Sequence, residues 1–581
     1  MVPINKETVA QILREIAVLL ELKGENQFKV RAYLNGARTI EVLDQDLKEL
    51  VETGKITDIK GIGKGLGDNI RELVLTGNLD YYQELKSSIP PGLLDMLRIP
   101  GLGPKKVYRL YQTLGITSIR ELEYACKENR LSDLKGFGPK SQGNILRGIE
   151  HIKKFQGQFI YAEVIPKAYN ILEALKGCSE IKEISIAGSL RRFREVVKDI
   201  DLVASTENEE KVMDYFIKLP QVIKVINKGS TKTSVTLESG INCDLRLVKP
   251  SLFSYALHHF TGSKEHNTVM RHRAKSMGIK INEYGLFKGE KEELIKVNNE
   301  EEFFKALGLS YIPPELRENM GEIEAAEKNT LPELVKYQDI QGVFHIHTNY
   351  SDGRNTLAQL VEEAKKAGYK YLGIADHSQS AIYANGLQLE QIKRQRAEIQ
   401  EFNEKNPDFY VFSGIEVDIH SDGTLDYPDN VLELFDFVIA SIHSNFTLTG
   451  EKATQRLIKA MENPYVTMLG HPTGRILLGR QGYEPDMEEI IKSAKANNVI
   501  IELNSSPYRL DIDWRYLRAL KEWGGMVSIN PDAHRVEELY DTYYGVQMAR
   551  KGWLEKENVF NTRSVEEVKK YLQQKRGRKN E

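Results

Sequence analysis

Cysteine is scarce: 581 residues contain three, Cys126, Cys178 and Cys243, with no CxxC spacing among them. That excludes a disulfide framework and points to a reducing compartment. Long apolar runs are missing as well. No stretch approaches the roughly 20 apolar residues of a membrane-spanning helix. The N-terminal stretch MVPINKETVAQILREIAVLLELKG is an amphipathic helix with acids in it, not a signal peptide. Neither sign of charge dominates, the formal net charge being −3. The balance hides an asymmetry. Residues 1–315 carry 47 Lys+Arg against 42 Asp+Glu, and the remainder carries 33 against 41. A mildly basic front half suits a polyanion, and an acidic back half suits metal ions. What is present is ordinary globular composition, 41% hydrophobic and 28% charged, in a chain long enough for several domains.

The stretch EISIAGSLRRFREVVKDIDLVA, residues 183–204, has the alternation of a strand at each end. Side chains two apart share a face, so Asp199 and Asp201 project together while Ile200 points inward. Adjacent carboxylates repel unless a proton or cation sits between them, and hard divalent cations suit them. Solvated acids at a strand end are the plain alternative. Two additions favour the cation. Gly188-Ser189 offers a close backbone approach and a hydroxyl to a phosphate. A third acid, Asp244, lies on another alternating strand, 242–247. Three carboxylates holding two Mg²⁺ or Mn²⁺ ions beside a phosphate grip make a nucleotidyl-transfer centre. The order Gly-Ser, then Asp-x-Asp, then a single Asp resembles the nucleotidyltransferase superfamily, and implies Asp199, Asp201 and Asp244 as its catalytic metal ligands.

One element recurs three times upstream: apolar-x-Gly-apolar-Gly followed by a helix start. It carries Gly61 and Gly63, then Gly101 and Gly103, then Gly136 and Gly138. The two glycines turn the backbone tightly with N–H groups exposed, and the helix after them presents its positive end. Such a loop binds a phosphodiester without reading bases. A plain interhelical turn would account for one copy; three copies, each with a basic residue near, point to DNA. This is the helix-hairpin-helix pattern. Its first copy resembles the small N-terminal domain of polymerase beta and its relatives. There the family's Schiff-base lysine falls on Asn69, whose amide cannot form an imine.

Arg191, Arg192 and Arg194 follow the Gly-Ser turn, where a guanidinium can fork onto phosphate oxygens; surface charge is the alternative. Further on, His259-Phe260-Thr261-Gly262-Ser263 and the helix after it resemble the YFTGS segment of the family X DNA polymerases. The resemblance implies that Gly188, Ser189 and Arg192 hold the triphosphate. It implies that Phe260 and Gly262 face the incoming sugar, that His259 belongs to the nucleotide site, and that Asn267 and Arg271, four apart on one helix face, meet the nascent base pair. His259 stands where eukaryotic members have Tyr. His258 and His272 take no role.

Residues 313–340 are Pro-bounded, acidic and poor in aromatics, and read as a connector with a short helix. Beyond them seven apolar strands alternate with helical patterns: 342–347, 371–376, 409–418, 436–442, 466–470, 499–504 and 526–530. That argues for a parallel sheet or closed barrel, whose chemistry lies at the C-terminal strand ends. There the sequence places His345, His347, Asp352, His377, Glu416, His443, His471, Asp532 and His534. A lone histidine at a strand end is usually structural. Six histidines and three acids from all but one of the strands suit Zn²⁺, Mn²⁺ or Fe. The pattern resembles the PHP domain, a seven-stranded relative of the (β/α)₈ barrel, and implies these nine as ligands of up to three ions. Arg475 is a candidate phosphate contact, and Asp418 and His420 belong to the periphery.

The expected fold is multidomain: helical helix-hairpin-helix domains at 1–88 and 89–155, an α+β nucleotidyltransferase palm at 156–250 with a nucleotide-selecting subdomain at 251–312, the connector, and a distorted (βα)₇ barrel at 341–575. The whole resembles the bacterial and archaeal family X polymerases. That implies a cytoplasmic, nucleoid-associated monomer acting on gapped or primer–template DNA and dNTPs. Its function would be gap filling in repair, with 3′–5′ exonuclease, 3′-end cleaning and abasic-site cleavage in the barrel. Two rivals are a barrel that hydrolyses small phosphate esters and a DNA-end scaffold without catalysis. The basic tail from Lys569 on, KKYLQQKRGRKNE, reads as a solvated, frayed terminus, with contact to DNA as the alternative.

Overall fold

The computed structural model describes residues 5–577 apart from 44, 128–129, 132–133, 135, 156, 290, 446–447, 449 and 480–481. Lys135 of the third hairpin and the last four tail residues therefore lie outside the described set. The chain forms two compact units, Met1–Gln156 and Gly157–Glu581.

The first unit is helical. Its opening helix, Lys6–Leu22, starts at Asn5, whose side chain accepts from Thr8 N. Val9, Leu13, Ile16 and Leu20 then fall on one face at three- and four-residue intervals and are buried. One core runs from Val9 to Ile149, so the expected division near residue 88 is not a division of the interior. The cause is the first helix, whose C-terminal turn is pressed against the second hairpin: a Cβ at Gly24 would fall 2.3 Å from the Tyr108 ring.

The second unit begins with a five-stranded sheet. In chain order its strands are β1 (Ile181–Ile186), β2 (Asp199–Thr206), β3 (Val222–Lys228), β4 (Lys232–Leu237) and β5 (Asn242–Val248). Their spatial order is β1-β2-β5-β4-β3, and β2–β5 is the parallel pair. Residues 253–312 follow as helices and a small antiparallel sheet around Phe303 and Phe304.

Seven further strands make the barrel: β6 (Gly342–Ile346), β7 (Tyr371–Ile374), β8 (Tyr410–Asp418), β9 (Phe437–Ser441), β10 (Met468–Leu469), β11 (Ile500–Asn504) and β12 (Val527–Asn530). All pair in parallel in sequence order. Such strands are covered on both faces, which is why they read as unbroken apolar runs. The ring is drawn together where His347 N donates to Ala533 O (2.9 Å) and Ala533 N to His345 O (3.2 Å).

Residues 313–334 depart from the expected connector. Arg317 is fully buried, as is Glu322, and Leu316, Ile323 and Leu334 join the core of 253–312. The acidic composition that reads as a solvated linker instead serves interior ion pairs. Arg317 donates to Glu300 (2.6 Å), and Arg550 to Glu315 (2.5 Å).

Candidate active sites

On the palm, Ala187 N donates to Asp201 O (2.8 Å), folding the Gly188 turn onto β2. Gly188 has φ +60°, and a Cβ there would fall 2.0 Å from Asp201 Oδ2. No side chain fits between the turn and the carboxylate, so a bound phosphate can come close to whatever Asp201 holds. The β2–β5 register sets Asp201 directly beside Asp244, with Asp199 one step along β2 and Ile200 fully buried between. Burial, with Asp199 and Asp244 alongside, pushes Asp201 up to about 7. Burial and then Asp244 raise Asp199 as well. Lys232 Nζ lies 2.5 Å from Asp244 Oδ2, a cation already drawn to the cluster. Carboxylates crowded in this way fit divalent ions with oxygen ligands.

Around this turn the arginines divide. Arg191 is committed to Glu300 (2.5 Å) and to Thr261 Oγ1 (2.7 Å). Arg192 donates to Glu318 (3.1 Å) and to the carbonyl of Thr261. Arg194 shares Glu318 at 3.6 Å. Gly262, at φ +73°, passes so near that a Cβ would meet Arg192 Nη1 at 2.9 Å. Phe260 carries the Arg246 guanidinium on its ring at 4.1 Å, and the His259 ring lies 4.9 Å from that of Phe260. Asn267 and Arg271 differ in setting. Asn267 is buried and donates to His259 O (2.8 Å), fastening the end of the preceding helix, whereas Arg271 is exposed. His258 is packed in the core, stacked on Phe303 at 4.0 Å.

In the barrel, the nine expected residues converge at the C-terminal ends of six strands. Their donor atoms form four overlapping groups, each within 4.8 Å: His347, Asp352, His377 and His534; His345, His471 and Asp532; His345, His347 and Glu416; His377, Glu416 and His443. The palm acids form no group that tight among the described residues. Spacing within the barrel groups is that of ligands around ions. His345 Nε2 lies 3.1 Å from Glu416 Oε1, and His347 Nε2 3.2 Å from Asp532 Oδ1. Both nitrogens are sealed from solvent and face these carboxylates without a well-formed hydrogen bond among the described residues. Two donors on one tetrahedral ion at 2.0–2.1 Å stand roughly 3.3 Å apart. His345, His471 and Asp532 also sit at φ +59°, +22° and +54°, backbone values costly for residues with a Cβ and concentrated where geometry is functional. Proton affinities follow the crowding. Burial opposes it, yet Glu416 and Asp352 raise His377 to about 10, and Glu416 and Asp418 raise His443 to about 9. Burial, with His534 and His377 close by, lowers His347 to about 3. Mixed imidazole and carboxylate donors fit Zn²⁺, Mn²⁺ or Fe.

Family models match four stretches: a helix-hairpin-helix domain at residues 4–79, a SAM-like helix-hairpin-helix tandem at 93–150, the DNA polymerase beta thumb at 256–318 and the PHP domain at 344–506. A Bacillus subtilis protein named DNA polymerase/3′-5′ exonuclease PolX is 40% identical over 570 residues, covering 98% of this chain and 99% of its own length. The chain belongs to the family X DNA polymerases that carry a C-terminal PHP domain. Other relatives match only part of this family X polymerase. A probable phosphatase of Caldicellulosiruptor saccharolyticus is 33% identical over 33% of this chain and 78% of itself. One of Caldanaerobacter subterraneus subsp. tengcongensis is 28% identical over 41% and 93%.

The polymerase also holds residues that reading the sequence missed. The strand without a candidate ligand is β11, and it supplies Glu502 from behind. Glu502 pairs with His345 Nδ1 (2.5 Å) and accepts from the His471 backbone N–H (2.7 Å) and Asn530 Nδ2 (2.9 Å). Its signal was an acid within the apolar run VIIEL. Asp418, expected at the periphery, pairs with His443 Nδ1 and so orients that ring. Arg475, expected to meet phosphate, is instead spent on Asp513 and on the carbonyls of Arg509 and Leu510. Its carboxylate partner lies 38 residues away, beyond the reach of local spacing.

In the first unit the three hairpins are alike. Ile62 N, Leu102 N and Phe137 N each donate at 3.0 Å to the carbonyl three residues back. Each of these apolar residues is buried, and Gly61, Gly101 and Gly136 have φ of +98°, +80° and +93°. Among the described residues, and chain neighbours aside, no atom lies within 4 Å of a Cβ built on Gly63, Gly101, Gly103, Gly136 or Gly138, so the loops are open on that side. Asn69 donates to Tyr33 Oη (2.7 Å).

Proposed function

We propose that this protein fills short gaps in DNA during base-excision repair, and that its barrel trims and cleans 3′ ends, with abasic-site cleavage as a further activity of the same centre. The observation that carries the reading is the β2–β5 register, which sets Asp201 beside Asp244 under the Gly188 turn. Divalent ions, when bound, lower the pKa of an attacking oxygen and neutralise phosphoryl oxygens at both centres. On the palm, Asp199, Asp201 and Asp244 hold Mg²⁺ or Mn²⁺. Gly188, Ser189 and Arg192 grip the triphosphate, and His259, Phe260 and Gly262 face the sugar. In the barrel, the nine ligands hold up to three Zn²⁺, Mn²⁺ or Fe ions, with Glu502 and Asp418 fixing imidazole orientation. The glycine hairpins grip the backbone of gapped or primer–template DNA. The protein acts as a monomer on the nucleoid. Among the described residues no helix is long and apolar enough to cross a membrane.

The relatives named probable phosphatases favour a second reading of the barrel, hydrolysis of small phosphomonoesters. Both readings meet one assay: metal-loaded protein with single-nucleotide-gapped DNA, a frayed 3′ end, and a small phosphomonoester. Asp201→Ala and Asp244→Ala abolish extension and leave DNA affinity nearly intact, whereas His345→Ala abolishes 3′-end removal and spares extension. Extension that survives both aspartate changes sinks the palm assignment. Phosphomonoester turnover without DNA cleavage moves the barrel to the second reading.

A further inference from the structure

Beside the phosphate turn lies a cavity of about 700 Å³ with walls from two parts of the fold. Ser189, Arg192, Lys198 and Asp199 line the palm side, while Trp514 and Arg515 line the other. The latter two open the barrel helix Trp514–Glu522, on which Asp513 caps Arg515 N. Since Ser189 and Asp199 border it, the cavity begins where the outer phosphates of a nucleotide, and the pyrophosphate that leaves, must pass.

Its chemistry fits such an anion. Arg192, Arg194, Lys198, Lys264 and Arg515 all face it. Three acids line it too. Asp199 belongs with the cation ligands, and Glu318 is compensated by Arg192 at 3.1 Å and Lys551 at 2.7 Å, which leaves Glu265. The barrel arginine is held in place. Arg515 Nη1 donates to Glu195 (3.0 Å) and to both oxygens of Asp513 (2.8 Å), and its guanidinium lies on the Trp514 ring at 4.6 Å. Trp514 Nε1 donates to the other oxygen of Glu195 (3.1 Å), so this corner of the barrel is fastened to the segment that follows Ser189. Among the described residues, Arg515's side-chain hydrogen bonds to other residues leave through Nη1. A guanidinium has five N–H groups, so those on Nε and Nη2 remain for a ligand, and 41% of the side chain is exposed.

We infer that the PHP barrel completes the nucleotide pocket of the polymerase: Arg515 contacts the outer phosphates of the incoming nucleotide, and the departing pyrophosphate, through Nε and Nη2. The inference rests on the palm being the nucleotidyl-transfer centre proposed above. It makes Arg515 a binding residue of a reaction whose metal ligands all lie elsewhere.

The test uses the full chain, single-nucleotide gap filling, and inorganic pyrophosphate and tripolyphosphate as competing probes. Arg515→Gln raises KM for dNTP and Ki for both probes roughly tenfold, the worth of one charge-assisted hydrogen bond. Its kcat and 3′-end removal stay at wild-type levels. Arg515→Lys keeps the charge, loses the fork and gives a smaller rise. An unchanged KM and Ki in either variant overturns the inference. So does a joint fall of kcat, end removal and Tm at constant KM, which would assign Arg515 to packing alone. If Arg515→Gln does not fold, Arg515→Lys decides on the same Ki. Failure of the wild type to extend the primer would instead sink the palm reading on which the inference stands.

Discussion

Glu502 lies on the barrel strand that ends without a candidate ligand, yet it meets two of the candidate ligands from behind. A glutamine there keeps one acceptor where the carboxylate offers two, and so cannot serve His345 and the His471 backbone together. Removing such an outer partner typically lowers metal affinity about 10- to 100-fold. Glu502→Gln should therefore lose 3′-end removal at limiting Mn²⁺, regain it at excess, and extend primers normally; titration of activity against Mn²⁺ reads this directly. On the palm, proton and cation compete for Asp201. The folded carboxyl keeps its proton up to about pH 7, against an ordinary value of 3.8. Between those values the folded chain binds the extra proton, so its stability falls as pH rises through that window. A divalent ion relieves the same repulsion and is bound best once the proton has left. Mg²⁺ should thus raise Tm more at pH 8 than at pH 6, and Asp201→Asn should erase that difference.

Among the elements, the hairpins repeat one solution three times. A buried apolar residue anchors the turn, a glycine at positive φ reverses it, and a second glycine precedes the helix. At Gly101 and Gly136 a Cβ meets no neighbour among the described residues, so the penalty of substitution is backbone strain in the loop and loss of approach to a phosphate. Gly101→Ala combined with Gly136→Ala should weaken DNA binding alike for every sequence. The slope of log affinity against log salt should change little, since neutral N–H groups, unlike Lys or Arg, release few counterions. Fluorescence anisotropy across a salt series measures both, and a loss confined to particular sequences would contradict backbone recognition.

At the scale of the molecule, the segment after Pro313 ties three parts of the second unit together. Arg317 and Arg191 both bond to Glu300, and Glu318 joins Arg192 to Lys551 on a barrel helix. Burial opposes ionisation of Glu300, but Arg317 and Arg191 hold it at about 2. Burial lowers Lys551 to about 8 in spite of Glu318. Breaking such a buried pair by removing one partner costs about 3–5 kcal/mol, since the other charge is stranded. Arg192, proposed to grip the triphosphate, is thereby fixed from the barrel side. The centre proposed to add nucleotides and the centre proposed to remove them share one compact unit.

Much of this was written in the chain order. Period-two alternation placed Asp199 and Asp201 on one face, the doubled glycines marked each hairpin, and the apolar runs with terminal histidines marked the residues that cluster in the barrel. These are local patterns, fixed by the geometry of a strand or turn. Tertiary structure decided what depends on distant partners. It set Asp244 beside Asp201 through a parallel register, and brought Glu502 behind His345 across 157 residues. It spent Arg475 on packing and turned an acidic connector into an interior strap. Spacing along the chain cannot foretell such pairings, because burial makes a charge depend on whichever opposite charge the fold brings to it.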